Sequence, residues 1–216
     1  MSRHVTIGVL ALQGAFDLHC RALERLGVPH RLVKTIGELQ RVDALIIPGG
    51  ESTTMRWFFH IEGLTEDLAR FVHDRPTMGT CAGMILLAQR IADDLLDHGF
   101  GAIDIDVRRN AYGRQVHSHT AMGLVDLGQG PHPFPMVFIR APRIERVGAG
   151  VRVLGSRNGE PTMVANENIL VTSFHPELSG SDEIHRFFIE NFISNRWPDG
   201  NSGNHCTIVS QNASHR

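Results

Sequence analysis

Two short runs of nearly unbroken apolar residues restrict the fold more than anything else in the chain. "VTIGVLAL" spans Val5 to Leu12 and "DALIIP" spans Asp43 to Pro48. Neither alternates polar with apolar residues, as a half-exposed strand would. Such runs suit strands of a parallel sheet covered on both faces. Between them, Phe16, Cys20, Leu23 and Leu26 recur at helical spacing, and Gly27 stands where a helix would close. Strand, helix, strand, helix predicts a right-handed crossover fold. A long amphipathic segment follows from Thr54 to His73, then a short strand over Thr77–Thr80 and a helix over Ala82–Ile91. The character changes near Phe100. "FGAIDIDVRRN", "QVHSHTAMGLVDL", "PMVFIRA" and "VRVLGS" read as shorter strands joined by Gly, Pro and Asn turns. "NILVTSFHPEL" returns to a core strand and ends in a loop. A last helix is expected over Asp182–Asn195, capped by Ser181, with Ile184, Phe187, Phe188 and Phe192 on one side. The expectation is an α/β fold: a single domain with a mostly parallel central sheet flanked by helices, and additional short strands in the second half. That domain covers residues 1–197; residues 198–216 read as a polar, mobile tail.

Composition excludes several function classes. With 216 residues, 42% of them hydrophobic, the chain suffices for one well-buried core. A net charge of −2 lacks the basic face of a nucleic-acid binder, so no nucleic-acid partner is expected. No apolar segment approaches the roughly 20 residues that span a bilayer, so no membrane partner is expected either. The N-terminal apolar stretch has no small-residue cleavage site and reads as a buried strand rather than a signal peptide. The 3 cysteines, Cys20, Cys81 and Cys206, are odd in number and far apart. That argues against a disulfide framework and for a reducing, cytoplasmic setting.

Chemistry concentrates in a few short motifs. In "MGTCAGMILLA", Cys81 lies between Gly79 and Gly83 at a predicted strand-to-helix junction. Ligands of open parallel sheets bind at such carboxyl ends. Small neighbours let the chain double back, as a nucleophile elbow requires. The N–H groups that open the next helix would favour a thiolate and could hold an oxyanion. A buried cysteine packed as a small hydrophobe explains the same pentapeptide equally well. A nucleophile also needs a base, and "SFHPEL" offers one. His175 and Glu177 lie two apart, hence on one side of an extended chain. Pro176 biases His175 toward that conformation. Glu177 could hold the ring while His175 takes the thiol proton. A surface His-Pro-Glu turn is the plainer reading of that tripeptide alone.

"PGGESTT", Pro48 to Thr54, follows a buried strand and precedes a helix. Its glycines permit close backbone approach, and Ser52 or Thr53 could cap the helix. It lacks the lysine and spacing of a phosphate loop. His117 and His119 share a face in "HSH", but no third ligand lies nearby in sequence, so no metal is expected.

Together these pieces resemble the class I, triad-type glutamine amidotransferases. "ALQGAFDLH", "PGGESTT", "GTCAGMILLA", "RNAYGRQ", "FIRAP" and "TSFHPEL" are closer still to one branch, the glutaminase subunits of pyridoxal 5′-phosphate synthase. The resemblance runs from about Val5 to Trp197. It implies that Cys81 is the nucleophile, His175 the base and Glu177 its orienting partner. It further implies that Gly49, Gly50 and Glu51 form the glutamine-binding turn, with Arg109, Ile139 and Arg140 as the remaining substrate contacts. L-glutamine would be hydrolysed without a cofactor, and ammonia would pass to a separate synthase subunit that gates the activity. His117 and His119 stand where acidic residues are common in that branch, and the segment after Trp197 has no family counterpart. Two other readings stay open: an amidotransferase of another pathway, such as histidine biosynthesis, and a non-catalytic regulatory subunit of the same fold.

Overall fold

The structure is a computed structural model that describes residues 5–92, 99–109 and 118–194. It opens with β1 (Ile7–Leu10), α1 (Phe16–Arg25), β2 (His30–Val33), the short α2 (Ile36–Leu39) and β3 (Ala44–Ile47). There follow α3 (Ser52–Ile61), α4 (Thr65–Asp74), β4 (Thr77–Thr80), α5 (Ala82–Leu87) and β5 (Ala88–Ile91). The second half holds β6 (Ile103–Arg108), β7 (His119–Asp126), β8 (Pro131–Phe138), β9 (Arg143–Val147), β10 (Arg152–Arg157), β11 (Glu160–Ala165) and β12 (Ile169–Thr172). A 3₁₀ turn (Pro176–Leu178) and α6 (Glu183–Phe188), which widens into a π-helical stretch over Ile189–Ser194, end the described chain.

Nine strands form one sheet in the order β2-β1-β3-β4-β12-β11-β10-β7-β8. Pairings from β2 to β12 are parallel, and those from β12 outward to β8 are antiparallel. The short second-half strands therefore extend the same sheet. The exceptions are β5, β6 and β9, which form a separate three-stranded sheet. The apolar runs behave as their composition demands. In β3, Leu45 and Ile47 enter one core with Met55 and Phe59 of α3, while Ala44 and Ile46 enter the other with Leu23 of α1 and Phe188 of α6. Successive residues of a strand face opposite ways, so a strand buried on both faces must be apolar throughout.

Four expectations need correction. The segment from Thr54 to His73 is two helices, parted at Gly63 (φ +65°). The Gly63 and Leu64 N–H groups donate to the carbonyls of His60 (3.2 Å) and Phe59 (2.8 Å), a Schellman closure that a left-handed glycine permits. The helix expected over Ala82–Ile91 ends at Leu87. Its final carbonyls are taken by the backbone of Phe100 on Leu86 (2.7 Å) and Ala102 on Leu87 (3.0 Å), which draws Ala88–Ile91 out as a strand. The cap of α3 is neither Ser52 nor Thr53 but Glu51, whose carboxylate accepts from the Thr53 and Thr54 N–H groups. At α6, which starts at Glu183, the N-cap is Asp182 rather than the expected Ser181, whose hydroxyl accepts from the Glu183 N–H at 3.3 Å from one position earlier. The segment 198–216, Trp197, His117 and most of "RNAYGRQ" lie outside the described residues.

Candidate active site

The parallel neighbours β4 and β12 bring the cysteine and the histidine together. Their register pairs Thr80 with Thr172, so both strands end level. Cys81 is one residue past that line and His175 three. The Cys81 N–H donates to the Thr172 carbonyl at 2.8 Å, pinning the elbow to β12. Cys81 itself has φ 49° and ψ −100°, a conformation that costs a non-glycine residue about 1–3 kcal/mol. Its neighbours make that turn possible. A Cβ on Gly83 would lie 2.2 Å from the Ile47 carbonyl oxygen, and one on Gly79 would lie 2.7 Å from the Gly83 backbone. α5 thus sits closer to β3 and β4 than any side chain would allow, and Cys81 stands at its N-terminus.

His175 leaves β12 in an extended conformation, with its N–H bonded to the Val137 carbonyl at 2.8 Å. Its Nδ1 meets Glu177 Oε1 at 2.7 Å, with both side chains buried. His175 Nε2 is buried and holds no hydrogen bond in this geometry. The Cys81 thiol instead donates to the Ile139 carbonyl at 3.7 Å. Burial presses the His175 pKa down, but the neighbouring Cys81 and Glu177 outweigh it and raise it to about 10. Burial likewise opposes charge on Glu177, yet His19 and His175 more than offset it and keep its carboxyl below the ordinary range. An ionised Glu177 accepts the Nδ1 proton, which leaves His175 Nε2 to exchange a proton with the thiol.

The glycine turn packs directly on the His175 ring. A Cβ on Gly49 would lie 2.3 Å from His175 Cε1, so only glycine admits the ring there. The turn is held from behind by "ALQG". The Ala15 N–H donates to the Gly49 carbonyl (3.2 Å), and the Glu51 N–H donates to Gln13 Oε1 (2.9 Å). Gly50 packs against the same Gln13. Ile139 and Arg140 follow β8, and Arg140 also adopts positive φ, 47°. The structure therefore gathers Cys81, His175, Glu177, Gly49 and Ile139 at one end of the sheet, with Gly50 and Arg140 beside them in sequence. Glu51 commits its carboxylate to capping α3. Arg109 immediately follows β6 of the smaller sheet.

The profile of a known family matches this chain from residue 9 to residue 194: the SNO glutamine amidotransferase family. The chain belongs to that family. Pyridoxal 5′-phosphate synthase subunit PdxT of Koribacter versatilis is 46% identical over 197 residues, covering 91% of this chain and 98% of its own. The PdxT proteins of Pseudothermotoga lettingae and Corynebacterium jeikeium are each 46% identical, over 86% and 85% of this chain and 95% and 94% of theirs. A crystal structure of a glutamine amidotransferase superposes with TM-score 0.78 at 41% identity, over 85% of this chain and 97% of that one. The structure of PurLQS from Thermotoga maritima, at 16% identity and TM-score 0.63 over 90% of this chain and 100% of that one, shares the fold.

Family membership leaves a second layer of the site that the sequence motifs did not reveal. His19 and His185 lie buried behind Glu177, and Thr80 joins them. The apolar face expected for α1 ran through Phe16, Cys20, Leu23 and Leu26, but its fully buried residues are His19, Ala22 and Leu23. The signal was the position of His19, four before Leu23 and therefore on the same face. Among the described residues no group of three His, Cys, Asp or Glu is disposed to hold a metal. His119 stacks on Phe138, with ring centroids 5.2 Å apart. Among those residues no helix is long and apolar enough to cross a membrane.

Proposed function

We propose that this chain is the glutaminase subunit of a pyridoxal 5′-phosphate synthase, hydrolysing L-glutamine to L-glutamate and ammonia. The observation that carries the reading is the meeting of a strained cysteine with a histidine whose far nitrogen is tied to a buried glutamate. In this reading, the proton shared between Cys81 and His175 rests on the His175 ring, as its raised pKa favours, and the thiolate attacks the side-chain amide carbon. N–H groups at the elbow and near Gly50 stabilise the oxyanion. The tetrahedral adduct collapses as His175 returns its proton to the leaving nitrogen, which departs as ammonia. His175 then takes a proton from water, and the resulting hydroxide attacks the thioester. Collapse expels the Cys81 thiolate beside the protonated His175, which restores the starting pair. Glutamate leaves, so one water is consumed per ammonia formed. Glu177 keeps the imidazole in one tautomer throughout. Gly49, Gly50 and Glu51 form the turn that receives the substrate, and Ile139, Arg140 and Arg109 supply further contacts to its carboxylate and ammonium ends.

The PdxT relatives are named as parts of a synthase, which supports a hetero-oligomeric complex with a separate synthase subunit. That partner receives the ammonia and gates its release, since hydrolysis without an acceptor wastes glutamine. The setting is cytoplasmic, and the glutaminase domain occupies residues 1–197 with residues 198–216 as an appended tail. Neither a metal nor a cofactor has a step in this chemistry. The test follows glutamate release from the chain, wild type or Cys81→Ala, mixed with a pyridoxal 5′-phosphate synthase subunit. Stimulation by the partner, abolished in Cys81→Ala, is expected. No stimulation would overturn the assignment to this synthase, and stimulation that survives the substitution would overturn the mechanism.

A further inference from the structure

The proton inventory behind Glu177 is determined by its geometry. His19, on α1, is fully buried, and its Nε2 lies 3.5 Å from Glu177 Oε2 and 3.3 Å from Thr80 Oγ1. Its Nδ1 meets Nε2 of His185, on α6, at 2.9 Å. His185 is itself 1% exposed, and its Nδ1 has no hydrogen-bond partner. A nitrogen lone pair 3.5 Å from an ionised carboxylate oxygen is repelled, so His19 Nε2 carries its proton, donating to Thr80 Oγ1. In the neutral ring, Nδ1 is then an acceptor, and His185 Nε2 must be the donor to it. That leaves His185 Nδ1 bare, in agreement with its lack of a partner; a buried lone pair is tolerated better than a buried N–H. Burial lowers the pKa of both rings, which keeps them neutral. The charged and titratable groups facing the pair are Glu177 and His175 on one side, and Asp182 and Arg25 on the other.

We propose that His19 is a positioning residue of the glutaminase: its Nε2–H, fixed by the His185 donor behind it, bonds the Thr80 hydroxyl at the strand end that carries Cys81 and stands close enough to Glu177 to bias that carboxylate electrostatically. Glu177 Oε1 is thereby committed to His175, while Oε2 holds no hydrogen bond and has the neutral His19 N–H dipole 3.5 Å away as its nearby electrostatic partner. His19 also bridges the two arms of the site, because Thr80 immediately precedes the nucleophile and Glu177 orients the base. The proposal rests on the triad assigned above.

Its test combines kinetics with ring spectroscopy on the full chain, with the synthase subunit present for turnover. Nitrogen-15 spectra of the wild type should show His19 and His185 as neutral Nε2–H tautomers from about pH 6 to 8. An Nδ1–H or doubly protonated His19 would overturn the proposal without recourse to any variant. His19→Leu should lower kcat about tenfold to a hundredfold with KM for glutamine within about twofold, as expected when a buried polar group loses its partner. His19→Gln, which can return an N–H toward Glu177, should recover most of the loss. Unchanged kcat in His19→Leu, or a His19→Gln as impaired as His19→Leu, would overturn the proposal. Glu177→Gln, run beside them, separates the two levels. If it retains wild-type turnover, the triad reading falls; if it is inactive while His19→Leu is not, only the positioning role falls.

Discussion

At the scale of single residues, the site depends on how closely groups can approach His175. Gly49→Ala places a methyl 2.3 Å from His175 Cε1, so the ring must rotate away from Cys81. Turnover should drop by at least about a hundredfold while the thermal midpoint moves by only a few degrees, since the clash is relieved by rotating one side chain. Glutaminase assay and calorimetry on one preparation check both. A second expectation concerns pH. The His175 pKa is raised from 6.5 to about 10, so the protonated ring stabilises the folded state fully below about pH 6.5. That contribution is lost as pH rises through about 10, and His175→Asn should flatten the alkaline loss seen in urea titrations. Cys81, His175 and Glu177 could be singled out from the sequence because their residue types and spacing suggest a chemistry, and the fold brings them to one end of the sheet. His19 and His185 were not, because a histidine within an amphipathic pattern looks the same whether it faces water or a carboxylate.

At the scale of elements, the cysteine turn works because α5 lies almost against β3. Gly83→Ala would set a methyl 2.2 Å from the Ile47 carbonyl, a backbone atom that cannot swing aside. Destabilisation by about 1–3 kcal/mol is expected, together with a fall in activity, because the elbow must move with the helix. Equilibrium urea unfolding measures the first, and steady-state kinetics the second. The apolar runs of β1 and β3 were readable since a doubly covered strand has no polar option. The strands β2, β9 and β11 were missed. β2 reads "HRLV", and only Val33 is buried in it, as expected of an edge. β9 reads "RIERV", with two charged residues in succession and only Ile144 buried, and belongs to the small sheet, which local pattern alone cannot indicate. The break at Gly63 was visible in principle, because Gly27 closes α1 by the same hydrogen-bond pattern.

At the scale of the whole molecule, helices α1 and α6 pack on the sheet behind Glu177 and carry the buried histidines His19 and His185. His185 has its pKa lowered to about 3, chiefly by burial. An unfolded chain would take up that proton below about pH 6.5, whereas the folded chain would not until about pH 3. Stability should therefore fall with decreasing pH across that window, with a slope of up to about 1.4 kcal/mol per pH unit from this group. His185→Gln should show a shallower acid limb when urea midpoints are compared between pH 7 and pH 4. The parallel half of the sheet was foreseeable from strand–helix alternation. Its continuation by β11, β10, β7 and β8 was not, because antiparallel partners with short connections could equally have formed a separate layer.

The pairing of a Cys81 nucleophile with a His175 base is tested most directly by chemical labelling with an electrophilic analogue of glutamine. The chain is labelled in complex with its synthase subunit, and the adduct is mapped by peptide mass spectrometry. A single adduct on Cys81, prevented by glutamine and strongly slowed in His175→Asn, is the expected result. An adduct elsewhere, or labelling of Cys81 at a rate indifferent to both glutamine and His175, would contradict it.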